Sequence, residues 1–231
     1  MIFSDTQPLV WNRLSNINKN NRVGSAYIFS GQKGSAKEWG AIEFAKLLNC
    51  ENNFDGLCDK CSSCTKFKCL QHPNLKIIVP LPSNNKTNTD GDPLDSLAKE
   101  DFEYLTNALD LKSTNPFYKI IVPKARRITI NSIRELRQSI YLKTHSFGRK
   151  MVLIFDAHLL SEGMGESANA LLKILEEPPG ETLFFLVTNN YQKLLKTIFS
   201  RVQMFKVRRF KDEEMKLYLS KYDDISEGEV D

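Results

Sequence analysis

Long hydrophobic runs are missing from this chain of 231 residues. Its longest apolar segments, MVLIF at 151–155 and LFFLV at 183–187, fall far short of the roughly 20 residues a membrane-spanning helix needs. The opening MIFSDTQPLVWNRL has no basic segment leading into a long apolar one, so no signal peptide is expected. Both absences point to a cytoplasmic protein with no membrane contact and reduced thiols. A dense basic face is missing too. Lys and Arg number 32 against 28 Asp and Glu, a net charge of +4, which permits nucleic-acid contact without arguing for it. No internal repeat stands out.

What remains suits one α/β domain with a small appendage. Apolar spacing predicts helices over 7–22, 38–49, 99–109, 129–143, 167–177, 192–202 and 211–222. Thr129 or Asn131 is the expected cap of the fourth, and Pro178-Pro179 ends the fifth. Strands are expected at 25–30, 75–80, 151–156, 182–190 and 203–207; 151–156 is apolar nearly throughout, as in a strand buried on both faces. The alternation predicts a parallel sheet with helices on both faces, whose ligands bind beyond the carboxyl ends of the strands. Residues 81–118 turn polar and read as a long solvated insertion with one short helix.

Five cysteines fall within 50–69. Cys50 precedes the stretch CDKCSSC at 58–64, two C-x-x-C steps sharing Cys61. Thiolates at Cys50, Cys58, Cys61 and Cys64 can close a tetrahedral zinc site with no open position, hence a structural one. Free surface thiols are the plainer alternative; Cys69 or His72 could also replace a ligand. Asp55-Gly56 between the ligands reads as a turn.

The stretch SGQKGSAKE at 30–38 lies between a strand and a helix. A working phosphate loop reads G-x-x-x-x-G-K-[ST], its backbone N–H groups cradling phosphates and its hydroxyl holding magnesium. Gly31 and Lys37 match; Ala36 replaces the second glycine and Glu38 the hydroxyl. Asp156 ends its strand where such ATPases place a magnesium-binding Asp, but Ala157-His158 follows and no Glu. His158 reads as an ordinary loop histidine. Arg201, after Ser200, is either a helix-end cation or an arginine finger reaching a neighbour's nucleotide. Two basic clusters, Lys124, Arg126, Arg127, Arg134, Arg137 and Lys206, Arg208, Arg209, Lys211, read as solvated faces, with DNA phosphates as the alternative partner.

Together these residues, with HPNL at 72–75, ANALLKILEEPP at 168–179, LVTNN at 186–190 and TIFSRVQ at 197–203, resemble the delta-prime family of bacterial DNA polymerase III clamp-loader subunits. That family lies in the AAA+ P-loop clade shared with tau/gamma. The resemblance covers about 5–210 apart from the insertion. It implies an AAA+ domain over 1–202 with a zinc module at 50–69, then a small helical lid starting at 203. Members continue into a helical collar, expected to lie outside this chain. It implies structural zinc on the four cysteines. Gly31, Gly34, Lys37, Asp156 and Asn189, the last at the position called sensor 1 beside Thr188, form a degenerate nucleotide site. It also implies a non-catalytic subunit of the DNA-directed DNA polymerase holoenzyme. The partners would be tau/gamma and delta subunits, the β sliding clamp and primed DNA, with Arg201 lent in trans beside Ser200. Val202 stands where the family usually has Cys, and SEGMGES at 161–167 is slightly longer than usual. The loss of the second Gly, the hydroxyl and the Glu separates this chain from an active tau/gamma-type ATPase, the first alternative; a zinc-containing nucleic-acid-binding module is the second.

Overall fold

The computed structural model describes residues 3–52, 56–82, 93–95, 97–142, 146 and 148–219. Strands β1 (Ala26–Ser30), β2 (Leu75–Ile78), β3 (Lys150–Ile154), β4 (Thr182–Thr188) and β5 (Gln203–Lys206) form one sheet in the order β2-β3-β4-β1-β5. Every pairing is parallel, as expected from the alternation of elements. All strands therefore end at one edge, where Ser30 lies level with Thr188 on one side and Lys206 on the other.

Side chains leave each strand alternately to two apolar cores. Tyr27, Phe29, Leu153 and Phe185 enter one; Ile28, Val152, Ile154, Phe184 and Leu186 enter the other. Burial on both faces is why these strands read as unbroken apolar runs. Helices α1 (Phe3–Thr6), α2 (Pro8–Lys19), α3 (Lys37–Leu48) and α5 (Lys99–Thr114) feed the first core. There the Phe44 ring stacks on Phe185 at 5.4 Å and meets the edge of Tyr27 at 5.5 Å. Helices α6 (Ile130–Tyr141) and α7 (Glu166–Glu176) cover the other face through Ile133, Leu136, Leu171 and Ile174. Each fully buried large apolar side chain contributes on the order of 2–3 kcal/mol. Thr129 is the cap of α6, its hydroxyl accepting from the Ser132 N–H at 3.3 Å. The α7 helix stops at Glu176, ahead of the two prolines.

Four expectations change. The helix expected over 192–202 is a 3-10 turn, Tyr191–Lys193, and a single turn, α8 (Lys196–Phe199). Leu194 and Leu195 between them are extended, which lets Leu194 and Ile198 drop into the second core. Helix α4 (Ser62–Lys68) had no signal in the apolar pattern. The insertion is not wholly solvated: α5 continues to Thr114, and Leu105, Ala108 and Lys112, one helical face, are buried. Last, the lid does not begin at Gln203. Residues 203–206 are the edge strand of the main sheet, the Val207 N–H donates to Ser30 O at 2.7 Å, and Phe205, Val207 and Phe210 join the first core. Helix α9 (Asp212–Leu219) follows, with its Met215 packed against the same core.

Candidate functional site

The carboxyl edge of the sheet gathers the loop after β1, Asp156 after β3, and Thr188 at the end of β4. The loop is closed tightly on itself. A Cβ on Gly31 would meet Ser35 Oγ at 2.3 Å and Val207 O at 2.5 Å, so nothing larger than glycine fits there. Gly34 has open space but a φ of +71°, which is why glycine suits it. Ala36 caps α3 in the left-handed region, with φ 58°. The sequence marked this residue as one whose Cβ intrudes where a glycine conformation is needed, and its backbone does adopt that conformation. Lys37 is buried and its Nζ turns back to donate to Gln32 O at 3.0 Å. Burial lowers its pKa, with the neighbouring Glu38 pushing the other way.

Glu38 lies at the centre of an ion cluster. Its Oε2 is 2.6 Å from Lys112 Nζ and its Oε1 is 2.6 Å from Lys119 Nζ. Lys119 also reaches Asp156 Oδ2 at 2.7 Å, so one ammonium joins the two carboxylates. Burial alone would push the Glu38 carboxyl up, but the two ammonium groups outweigh it and hold it down to about 2. Burial works against the Lys119 charge as well; Glu38 and Asp156 overcome it and raise its pKa. Lys112 Nζ donates to Glu38, to Pro116 O at 2.9 Å and to Tyr118 O at 2.8 Å. Three acceptors use all three protons of an ammonium. A magnesium–nucleotide does not fit this arrangement. A carboxylate replaces the hydroxyl that would meet metal and phosphate, and a lysine lies between the two groups that would hold the metal.

Asn189 is exposed, whereas Thr188 is fully buried. The Thr188 hydroxyl accepts from the Asn190 N–H at 3.1 Å and lies 3.1 Å from His158 Nδ1. His158 is thus tied to the end of β4, a link no local spacing announces. Burial lowers its pKa against the pull of Asp156. The 161–167 stretch turns through Gly163 and Gly165, both at positive φ, and exposes Met164.

The cysteine centre sits between α3 and α4. The Sγ atoms of Cys50, Cys58, Cys61 and Cys64 all lie within 4.8 Å of one another. Cys50 and Cys58 are 3.4 Å apart and Cys58 and Cys64 3.8 Å, close to the edge of about 3.8 Å expected of a tetrahedron with metal–sulfur bonds near 2.3 Å. The Cys61 N–H donates to Cys58 Sγ and the Cys64 N–H to Cys61 Sγ, both at 3.4 Å. Backbone donation from Lys60 and then Cys61 brings the Cys58 thiol down to about 6. The set could hold a metal, and its donor chemistry suits a closed four-thiolate site. His72 is outside it: its Nε2 lies 3.2 Å from Ser63 Oγ, and its Nδ1 accepts from the Asn74 N–H at 3.1 Å. Cys69 is exposed beyond α4. Lys46 on α3 ties the centre down, reaching Glu43 at 2.8 Å and Asp59 at 2.7 Å. Of the expected turn, Gly56 has a φ of +114°, and Asp55 lies outside the described residues.

Arg201 follows α8, away from this cluster in its contacts. Its guanidinium donates to Thr197 O at 2.9 Å, Ser200 Oγ at 3.0 Å and Glu176 Oε1 at 2.9 Å. Lys124, Arg126, Arg127, Arg134 and Arg137 are exposed, as are Lys206, Arg208, Arg209 and Lys211. Arg208 is occupied within the chain, pairing with Glu214 at 2.6 Å and donating to Thr6 O. Among the described residues no helix is long and apolar enough to cross a membrane.

Relatives are found across most of the chain. It is 28% identical over 200 residues to DNA polymerase III subunit delta' of Bacillus subtilis, covering 87% of this chain and 47% of that protein. It is 27% identical over 219 residues to subunit tau of the same bacterium, covering 94% and 31%. With subunit delta' of Escherichia coli it shares 39% over 93 residues, 39% of this chain and 27% of that protein. The chain thus spans well under two thirds of the length of these relatives. A solved structure of a DNA polymerase III gamma subunit-related protein from Thermotoga maritima aligns with a TM-score of 0.46 at 18% identity, over 93% of this chain and 49% of that one. The sheet with its loop after β1 is consistent with the expected AAA+ α/β fold. The family model described as "DNA polymerase III, delta subunit" matches residues 6–211. Since that range takes in all but the two ends, the chain belongs to the DNA polymerase III delta subunit family.

Proposed function

We propose that this chain is a delta-prime-type clamp-loader subunit that hydrolyses no ATP of its own. It would act in a ring with tau/gamma and delta subunits that loads the β sliding clamp onto primed DNA. The observation that carries this reading is the Lys119 ammonium held 2.6 Å from Glu38 and 2.7 Å from Asp156, where an active subunit would hold magnesium. The relatives named delta' and tau support the complex. Its contribution to hydrolysis is then Arg201, offered beside Ser200 to the nucleotide of an adjacent tau/gamma subunit. Helix α9 opens the lid. Isothermal titration of the wild-type chain with magnesium-ATP tests the reading: no saturable heat is expected up to millimolar nucleotide, and tight magnesium-dependent binding would sink it.

The cysteine centre would hold a structural zinc ion. Replacing Cys61 by serine removes a direct ligand, so the expected loss of zinc affinity exceeds the roughly 10–100-fold that removal of an outer-shell partner causes. The variant should come off a desalting column with less than stoichiometric zinc and unfold at a lower temperature. Full zinc content in that variant would contradict the ligand assignment.

A further inference from the structure

We infer that the Lys119 side chain is a built-in replacement for the divalent cation, carried into the site by the segment 97–119, which acts as an intramolecular plug. This rests on the reading above, and deepens it by naming what closes the site. In P-loop ATPases the metal is held by the residue after the loop lysine and by the Asp ending a strand. Here those residues are Glu38 and Asp156, and the atom between them is Lys119 Nζ. An ammonium satisfies both carboxylates with charge-assisted hydrogen bonds at these distances. Lys112 takes the second oxygen of Glu38, so each oxygen of that carboxylate already faces an ammonium.

The segment is anchored, so the ammonium is delivered to a fixed place. Leu105 and Ala108 hold one face of α5 in the first core, and Lys112 on the same face is buried against Glu38. Beyond the helix, the Phe117 ring lies 5.4 Å from Trp39 on α3 and 5.1 Å from Phe210 after β5. Phe117 thereby bridges the helix that follows the loop and the strand end that borders it. Lys119 comes two residues later. Lys37, Lys112 and Lys119 against Glu38 and Asp156 leave one net positive charge, so the cluster repels a further cation as it stands.

The test is Mn²⁺ binding, read from the paramagnetic resonance of the free ion, with the full chain. Wild type should show no manganese site that depends on Asp156. Lys119→Met should gain affinity at least tenfold, and the gain should vanish in Lys119→Met/Asp156→Asn. Lys119→Arg keeps the cation and should behave as wild type. Lys119→Gln serves if the Met variant unfolds, and must show the same gain. Thermal unfolding confirms that each variant is folded. A folded Lys119→Met or Lys119→Gln chain with unchanged Mn²⁺ affinity overturns the plug, as does an Asp156-dependent site in wild type. Magnesium-ATP binding by the wild type would overturn the functional reading and the plug with it, whereas unchanged Mn²⁺ affinity in the Lys119 variants overturns the plug alone, so the two failures are distinguishable.

Discussion

Glu38→Gln is expected to destabilise the chain by about 3–5 kcal/mol, the cost of removing one partner of a buried ion pair. Glutamine keeps the shape and hydrogen-bonding reach of the side chain but not its charge. Lys112, with a side chain 1% exposed, would then have to keep its ammonium without the counter-charge that Glu38 provides. In a domain of this size the loss lowers the melting temperature by about 10 °C. The pH dependence reports on the same interaction independently. The Glu38 pKa in the folded chain lies at about 2, below its ordinary 4.5. The contribution is therefore complete above about pH 4.5 and is lost as the pH falls toward 2. The shift corresponds to on the order of 3 kcal/mol, in line with the mutational figure. Glu214, held down to about 2 by its hydrogen bond from Arg208, titrates in the same window. Urea denaturation of wild type and Glu38→Gln from pH 7 to pH 3 separates the two. The gap between the curves should narrow as the pH falls; a constant gap, or none at pH 7, would contradict the buried-pair account.

This cluster was half legible in the sequence. Glu38 was visible because the loop pattern fixes what should follow its lysine, and Asp156 because a two-sided buried strand fixes its own end. Lys112 and Lys119 were not, since they lie 74 and 81 residues from Glu38 in the chain and no spacing rule connects them. They sit in a segment whose polar composition reads as solvated; the face of α5 that docks is narrow, with Leu105, Ala108 and Lys112 buried and Leu109 packed beside them. The cysteine centre was legible for the opposite reason, as three of its thiols come from seven consecutive residues. Even there α4 carries no apolar signature, because it is short and its cap is a cysteine whose sulfur accepts from the Cys64 N–H. The break at Leu194–Leu195 was hidden by an apolar pattern that suits a helix equally well. Burial in the second core decides it.

Arg201→Ala is expected to slow hydrolysis at the neighbouring site by about 10³-fold, the low end of what an arginine finger supplies. At rest the guanidinium is held by Glu176 and by two oxygens of its own turn. The Glu176 pair is partly exposed, with side-chain accessibilities of 35% and 45%. A pair of that kind is worth at most about 1 kcal/mol, so releasing the arginine toward a phosphate on another subunit costs little. For the same reason Arg201→Ala should leave the fold and the assembly of the ring essentially intact.

In the proposed role this chain acts on a neighbour's nucleotide and not on its own. Clamp-stimulated ATP hydrolysis by a ring reconstituted from the full-length protein with its tau/gamma-type partner tests it most directly, wild type against Arg201→Ala at equal assembly. The turnover contributed by the adjoining tau/gamma site is expected to disappear in the variant. Unchanged hydrolysis from an intact ring would contradict it.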